Sequence, residues 1–267
     1  MKTKSPWLVK PHDKVTLLKR ETAADGGLTP DQADALLTKH RAQLAQLQEV
    51  LYASQQRAIL VVLQGMDTAG KDGTISHIFS GINPQGCNVT SFKVPTAIEA
   101  RHDFLWRCHA AVPRMGIIGV FNRSQYEDVL APRVHKLIDT KTAHQRMEEI
   151  NRFEQMLTKN GTVVLKFFLH ISKEEQKKRL QARLDDPDKL WKFSYADIKE
   201  RGFWDQYQKA YEDILSRTSK KHAPWFIIPA EKKWFRNLAI SSILAEALSS
   251  LKLKYPEPTV DPRKIKL

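Results

Sequence analysis

The stretch Gln64-Gly65-Met66-Asp67-Thr68-Ala69-Gly70-Lys71-Asp72-Gly73-Thr74 constrains this chain more than any other. Before it runs Ala58-Ile59-Leu60-Val61-Val62-Leu63, a short apolar segment of the kind that becomes a buried parallel strand. After it, Ile75, Ile78 and Phe79 recur at helical spacing. Strand, glycine turn and helix together are the context that a phosphate-binding loop requires. Gly65 and Gly70 let the backbone turn so that its N–H groups converge on an anion. The new helix adds its positive end, and Lys71 adds a point charge. The expected phosphate contacts are Gly65, Ala69, Gly70, Lys71, Asp72, Gly73 and Thr74. The pattern Gly-x4-Gly-Lys is complete, but Asp72 follows it where the usual loop carries Ser or Thr for magnesium. A second carboxylate, Asp67, sits inside the loop. Two acids in a phosphate cradle repel the ligand unless a cation lies between them or one accepts a proton. The loop therefore points to phosphoryl chemistry with its metal held differently.

With 267 residues the chain suits one large α/β domain better than two. No run of ~18 apolar residues is present, so nothing reads as a membrane span. The opening Met1-Lys2-Thr3-Lys4-Ser5-Pro6 is positive but lacks the apolar stretch of a secretory signal. Cys87 and Cys108 form no CxxC and have no metal-ligand spacing, so both read as reduced thiols of a cytoplasmic protein. The net charge of +13 favours a polyanionic partner: nucleic acid, an anionic membrane or a chain of phosphates. Charge alone does not choose among them.

Residues 1–28 read as an irregular arm, 29–253 as the main domain and 254–267 as a loosely attached tail. Strands are expected at 58–63, 89–94, 116–121, 162–169 and 225–228. Helices are expected at 31–52, 97–111, 142–157, 173–184, 194–218 and 233–251. Their alternation predicts a parallel sheet with helices on both faces.

Two further stretches carry chemistry. Strand 116–121 ends in Asn122-Arg123-Ser124-Gln125-Tyr126-Glu127-Asp128, at the carboxyl edge where such sheets collect ligands. A phosphate-loop protein places a magnesium-holding acid there. Here the position is Asn122, and the acids follow as Glu127 and Asp128; Arg123 is placed to meet phosphate. The segment 173–200 reads as a cationic lid over the phosphate site. Arg179 and Arg183 share one helix face, and Lys189 and Lys192 extend the charge onto the next loop. Lys177 and Lys178 read equally well as a solvated face. Arg133, His135 and Lys136 extend a basic track, and Trp191, Trp204, Trp225 and Trp234 read as core.

The combination resembles the polyphosphate kinase 2 family. The resembling residues are Gly65 through Thr74, Phe104-Leu105-Trp106-Arg107, Phe121 through Leu130, and Asp186-Pro187 through Trp191-Lys192-Phe193. Asn122 with Glu127 and Asp128 is most similar to the family's third class, whose members phosphorylate nucleoside mono- and diphosphates. The resemblance implies a fold like thymidylate kinase, inorganic polyphosphate as donor, AMP and ADP as acceptors, and magnesium as cofactor, with manganese as the alternative. It also implies a functional core of Asp67, Lys71, Arg123 and Arg183, with Arg133, Arg179 and Lys192 on phosphate. Arg107, Asn122, Glu127 and Asp128 fall at the nucleotide end, and Asp67, Asn122 and Glu127 at the metal. A homo-oligomer, dimer or tetramer, goes with it, and neither membrane nor nucleic acid as partner. Two rivals stand beside this reading. An ATP-dependent nucleoside monophosphate kinase is disfavoured by Asp72 and by the excess charge. A nucleic-acid-binding protein with a vestigial loop would need a basic face interleaved with exposed aromatics or a major-groove helix, and neither motif stands out.

Overall fold

Every residue from Ala58 to Gly65 is buried, so this strand is covered on both faces and belongs to the middle of a sheet. The computed structural model describes residues 5–261, 263 and 265. Its strands, in chain order, are β1 (Leu8–Val9), β2 (Ala58–Gly65), β3 (Cys87–Ser91), β4 (Ile118–Asn122), β5 (Thr162–His170) and β6 (Trp225–Pro229). They lie in the order β1-β6-β5-β2-β4-β3. All neighbours pair in parallel except β1, which runs antiparallel to β6. The expected α/β sheet is therefore present, with one added edge strand.

The helices are α1 (Pro30–Ser54), α2 (Lys71–Ile78), α3 (Trp106–Ala111), α4 (Glu127–Val134), α5 (Thr140–Lys159), α6 (Lys173–Leu184), α7 (Tyr195–Gly202), α8 (Trp204–Thr218) and α9 (Lys233–Ser250). One group, α1, α2 and α9, packs together; α4, α5 and α8 form the other. Thr29 and Gln32 close a reciprocal capping box ahead of Pro30, which explains where α1 starts.

Local chemistry accounts for the departures from the expected elements. The helix expected at 97–111 is a 3-10 turn at Glu99–Arg101 followed by α3, because Asp103 accepts from the Leu105 N–H at 3.0 Å and stops the turn. The helix expected at 194–218 breaks at Gly202 and Phe203 into α7 and α8. No helix was expected at 127–134, where Pro132 argues against one. Pro132 cannot donate to the Asp128 carbonyl, and Arg146 Nη1 occupies that acceptor at 2.6 Å instead.

The arm is not free. Leu8 and Val9 pair with Phe226 and Trp225, and the Val15 and Leu17 N–H groups donate to Ser216 and Glu212 of α8 at 2.9 and 2.7 Å. Val9, Val15 and Leu17 are buried, with Trp7 and Leu8 packed on the core beside them, and that burial ties the arm down. In the tail, Tyr255–Val260 forms no helix or strand and is exposed, while residues 1–4 of the arm and 262, 264, 266 and 267 of the tail lie outside the described residues. Trp204 and Trp225 are buried and Trp234 packs on the core; Trp191 is 78 % exposed, against the expectation of a core position. Among the described residues no helix is long and apolar enough to cross a membrane. Both cysteines are free thiols.

Candidate active site at the phosphate loop

The sheet order places β2 between β5 and β4, so the loops leaving their carboxyl ends converge. These are the loop at 65–70, the segment 122–126 and the entry into α6. Ligands of open α/β sheets bind at this edge, where successive connections part to opposite sides.

The backbone of the phosphate loop is strained in ways that only a fixed surround can hold. Thr68 and Arg123, neither of them glycine, have φ of 66° and 63°. Gly70 has φ of 104°, and a Cβ there would lie 2.0 Å from Arg236 Nη1. The N–H groups of Lys71, Asp72 and Gly73 make no backbone hydrogen bond, as befits the first turn of α2, and so are free to meet an anion. Ala69 is different: its N–H closes a turn onto the Met66 carbonyl at 3.0 Å. Thr74 is also turned inward, donating its hydroxyl to the Gly70 carbonyl at 3.0 Å. Both were expected to bind phosphate, and both are committed to the loop itself.

Lys71 is buried against the loop, its Nζ donating to the Gly65 carbonyl at 2.9 Å and reaching the Met66 carbonyl at 3.4 Å. Burial holds its pKa below the usual lysine range; the Arg123 charge adds to this, and Asp67, Glu127 and Asp72 oppose it. Arg123 stands in front, with Nη2 on Asp67 Oδ1 at 2.8 Å and Nη1 3.7 Å from Glu127 Oε2. Withdrawal from water would lower its pKa, but the two carboxylates outweigh that and raise it. Glu127 is pushed up by desolvation, against the pull of Arg123 and Lys71. Gln64, in the amide orientation that satisfies its surroundings, donates to Glu127 Oε1 at 3.0 Å.

Asp67, Lys71, Arg123 and Glu127 thus form one cluster. Asn122 adjoins it, but its amide donates to Asp72 Oδ1 at 2.7 Å. The usual loop has a hydroxyl at the Asp72 position and an acid at the strand end. Here the acid is on the loop and the amide at the strand end, so the polarity of that bridge is reversed.

Glu127 and Asp128 are adjacent in sequence but serve different places. Asp128 turns away to Arg107, whose Nη2 donates to its Oδ2 at 2.9 Å while Nη1 donates to the Lys93 carbonyl at 2.7 Å. Burial raises the Asp128 pKa despite the arginine. Both residues line a cavity of about 610 Å³ with Glu99, Asp103, Phe104 and Arg146.

Several of the expected basic contacts point elsewhere. All five N–H donors of Arg179 are used: Nε on Glu175, Nη1 on the Thr68 and Ala69 carbonyls, Nη2 on the Ala230 and Glu231 carbonyls, at 2.7–3.1 Å. Arg179 therefore staples the loop, and no N–H is left over for a phosphate. Arg133 is also diverted, pairing with Asp213 at 2.6 Å, where His144 joins at 2.8 Å. Arg183 lies near the C-terminal end of α6, 3.8 Å from Asp197 on α7. Lys192 is exposed, its Nζ 4.9 Å from the ring of Trp191.

Sequence reasoning missed three supports. Gln64 is hidden in the apolar strand signal. Arg236 lies far along the chain in α9, with only its place near a helix start to mark it. The third is a buried network: Lys166 on β5 donates to Glu154 at 2.6 Å, to Tyr126 Oη at 2.9 Å and to the Thr218 carbonyl at 2.7 Å. Gln125 and Tyr126 both donate to Glu154 Oε1, at 3.1 and 2.9 Å, which anchors the segment carrying Arg123 and Glu127. A lysine inside the apolar run 162–169 was its one visible sign.

Among the described residues no three His, Cys, Asp or Glu side chains come together as a full metal nest. Asp67 and Glu127 nevertheless share Arg123, and two carboxylates beside a phosphate loop suit a hard divalent cation, whose remaining positions water and phosphate oxygens would fill.

The chain matches the family model described as Polyphosphate kinase 2 over residues 27–256. It is 50 % identical over 245 residues to an AMP/ADP-polyphosphate phosphotransferase of Meiothermus ruber, covering 92 % of this chain and 91 % of that one. It is 48 % identical over 265 residues to an ADP-polyphosphate phosphotransferase of Rhodopseudomonas palustris, covering 94 % and 92 %. Its fold superposes on the crystal structure of polyphosphate kinase 2 from Arthrobacter aurescens with a TM-score of 0.93 at 44 % identity, covering 96 % of this chain and 92 % of that one. A phosphate loop with an acid where a hydroxyl is usual and an amide where an acid is usual, set in this fold and matched over most of its length by these relatives, makes the chain a member of the polyphosphate kinase 2 family.

Proposed function

We propose that this chain transfers a phosphoryl group from inorganic polyphosphate to AMP, giving ADP, and to ADP, giving ATP, with magnesium required in both steps. The observation that carries this reading is the cluster of Asp67, Lys71, Arg123 and Glu127 on a phosphate loop, in a family whose curated relatives are polyphosphate phosphotransferases. The charge of +13 suits a donor with roughly one negative charge per phosphate. With the reading go a cytoplasmic location and a homo-oligomeric assembly.

Phosphoryl transfer needs alignment and charge neutralisation more than covalent help. Lys71 and the N–H groups of Lys71, Asp72 and Gly73 cradle a donor phosphate. Arg123 meets the charge on the transferred group, and Arg183 does so when the lid at 173–200 closes. A terminal phosphate is ionised near neutral pH, so Asp67 need only orient the attacking oxygen or hold metal. Magnesium, or manganese with the same oxygen donors, would be held by Asp67 and Glu127 and would offset phosphate charge. Arg107 and Asp128 face the nucleotide end through the cavity they line.

The acceptor range is the part most open to test, since one relative's name covers AMP and ADP and the other ADP alone. AMP leaves the site one phosphate emptier than ADP does, and Glu127 is the carboxylate placed to hold a cation in that gap. Initial rates at saturating polyphosphate and magnesium should show both acceptors used by the wild type. In Glu127→Ala the AMP rate should fall at least about tenfold further than the ADP rate, a difference of one charge contact. Equal losses would make Glu127 a general support. ATP replacing polyphosphate as donor would favour the monophosphate kinase reading, and salt-sensitive duplex binding without turnover the nucleic-acid one.

A further inference from the structure

Arg236 lies in the first turns of α9, is 2 % exposed, and rests directly against the phosphate loop. Its Nε and Nη2 donate to the neutral Asn237 Oδ1 at 3.1 and 2.9 Å, and Nη1 reaches the Ala69 carbonyl at 3.4 Å. Among the described residues no carboxylate pairs with it. Its charged neighbour is another cation, Arg179, which donates to the same Ala69 carbonyl at 3.1 Å. Two guanidinium groups therefore lie side by side behind the loop, one with its donors fully used and one without an opposite charge.

A buried, unpaired charge is costly, and a chain of this length offers many neutral side chains that would fill the space. The contact is nonetheless tight enough that Gly70 has no room for a side chain. The loop's front face is where a phosphate would sit, so the missing negative charge belongs to the ligand. We propose that Arg236 is the fixed counter-charge of the condensed phosphate bound on the loop, acting from behind through the Ala69–Gly70 backbone without touching the ligand. Burial, and after it the Arg179 charge, brings its pKa down to about 10 from 12.5, so it stays protonated at neutral pH. The inference rests on the reading that the loop takes the polyphosphate donor.

Two substitutions separate a charge role from a structural one. Asn237→Asp puts a carboxylate where an amide oxygen already accepts both N–H groups, neutralising Arg236 with little change of shape. Arg236→Met removes the charge and keeps most of the volume. Inorganic tripolyphosphate binding, measured by calorimetry, should weaken about tenfold or more in each variant, as expected for one charge acting through a low-dielectric loop. The melting temperature without ligand should not fall in Asn237→Asp, because a buried charge has gained a partner. The KM for polyphosphate should rise while that for ADP stays unchanged. Tripolyphosphate bound by Asn237→Asp as tightly as by wild type would overturn the inference, as would equal losses of polyphosphate and ADP binding. If Arg236→Met does not fold, Asn237→Asp decides alone. Wild type that fails to bind tripolyphosphate would overturn the donor reading and this inference together; wild-type binding with an unaffected Asn237→Asp would overturn this inference only.

Discussion

Lys166 and Arg236 are both cations buried in the same domain, and their surroundings are opposite. Lys166 has a carboxylate, a phenol oxygen and a carbonyl on its three donors, with the rings of Trp225 and Tyr126 5.1 and 5.3 Å from its Nζ. Arg236 has an amide oxygen and a distant carbonyl. The first arrangement is complete within the chain, so its energy is spent on architecture. The second is incomplete until something negative arrives. Burial alone does not distinguish the two roles; the identity of the partner does.

That contrast can be broken from the paired side, where the largest effect is expected. Glu154→Leu leaves Lys166 uncompensated and should cost about 3–5 kcal/mol in denaturant unfolding. Adding Lys166→Met to it should return stability to about the wild-type value or above, since the pair would then be replaced by apolar groups. A double variant no more stable than Glu154→Leu would show that the hydrogen bonds to Tyr126 and Gln125, and not the charge pair, hold the network.

Arg183 lies between the extremes, with Asp197 at 3.8 Å and its side chain partly exposed. A loosely paired guanidinium is free to change partner. Arg183→Ala should slow turnover about a hundredfold, as loss of one charge-stabilising donor does. Lys177→Ala, removing a solvated charge, should stay within about twofold of wild type. Equal rates for the two would remove Arg183 from the reaction.

The smallest effect belongs to a pair completed near the surface. Asp213 accepts from Arg133, Arg217 and His144; burial would raise its pKa, but these hydrogen bonds prevail and lower it from 3.8. A carboxylate depressed in the folded state stabilises fully above its unfolded value and loses that contribution as pH falls through the folded one. Asp213→Asn should therefore flatten the acid limb of unfolding below 3.8 by less than about 1 kcal/mol. An unchanged acid limb would mean the cluster persists in the unfolded chain.

The paired and unpaired cations also mark what could be read from the chain. The phosphate loop was legible because its glycines, lysine and flanking apolar run are contiguous. β2 and β5 were legible because both are mostly apolar, despite Gln64 in one and Lys166 in the other. The direction of a basic side chain was not. Arg179 and Arg183 share a helix face by spacing, yet the first turns in to the loop carbonyls and the second turns to Asp197 of α7. Arg133, in a basic run, is claimed by an acid of α8. Arg236 carries no local pattern, because its meaning comes from Ala69 and Gly70, which only the fold brings near. Periodicity likewise says nothing of Leu8–Val9, a strand too short to show alternation.

That short strand has a consequence for the order in which the molecule is completed. Val15 and its partner Ser216 are 201 positions apart, and Leu8 pairs with Phe226. At roughly 5–20 residues per second, about 10–40 s pass on the ribosome between emergence of the arm and synthesis of its docking surface. A segment made early is thus among the last to be seated. Until it arrives, β6 presents an open row of unpaired amides and carbonyls, the kind of edge on which nascent chains join one another. The arm acts as a late-closing seal, and chains shortened at the amino terminus should be lost to aggregation during synthesis before any loss of catalysis is seen.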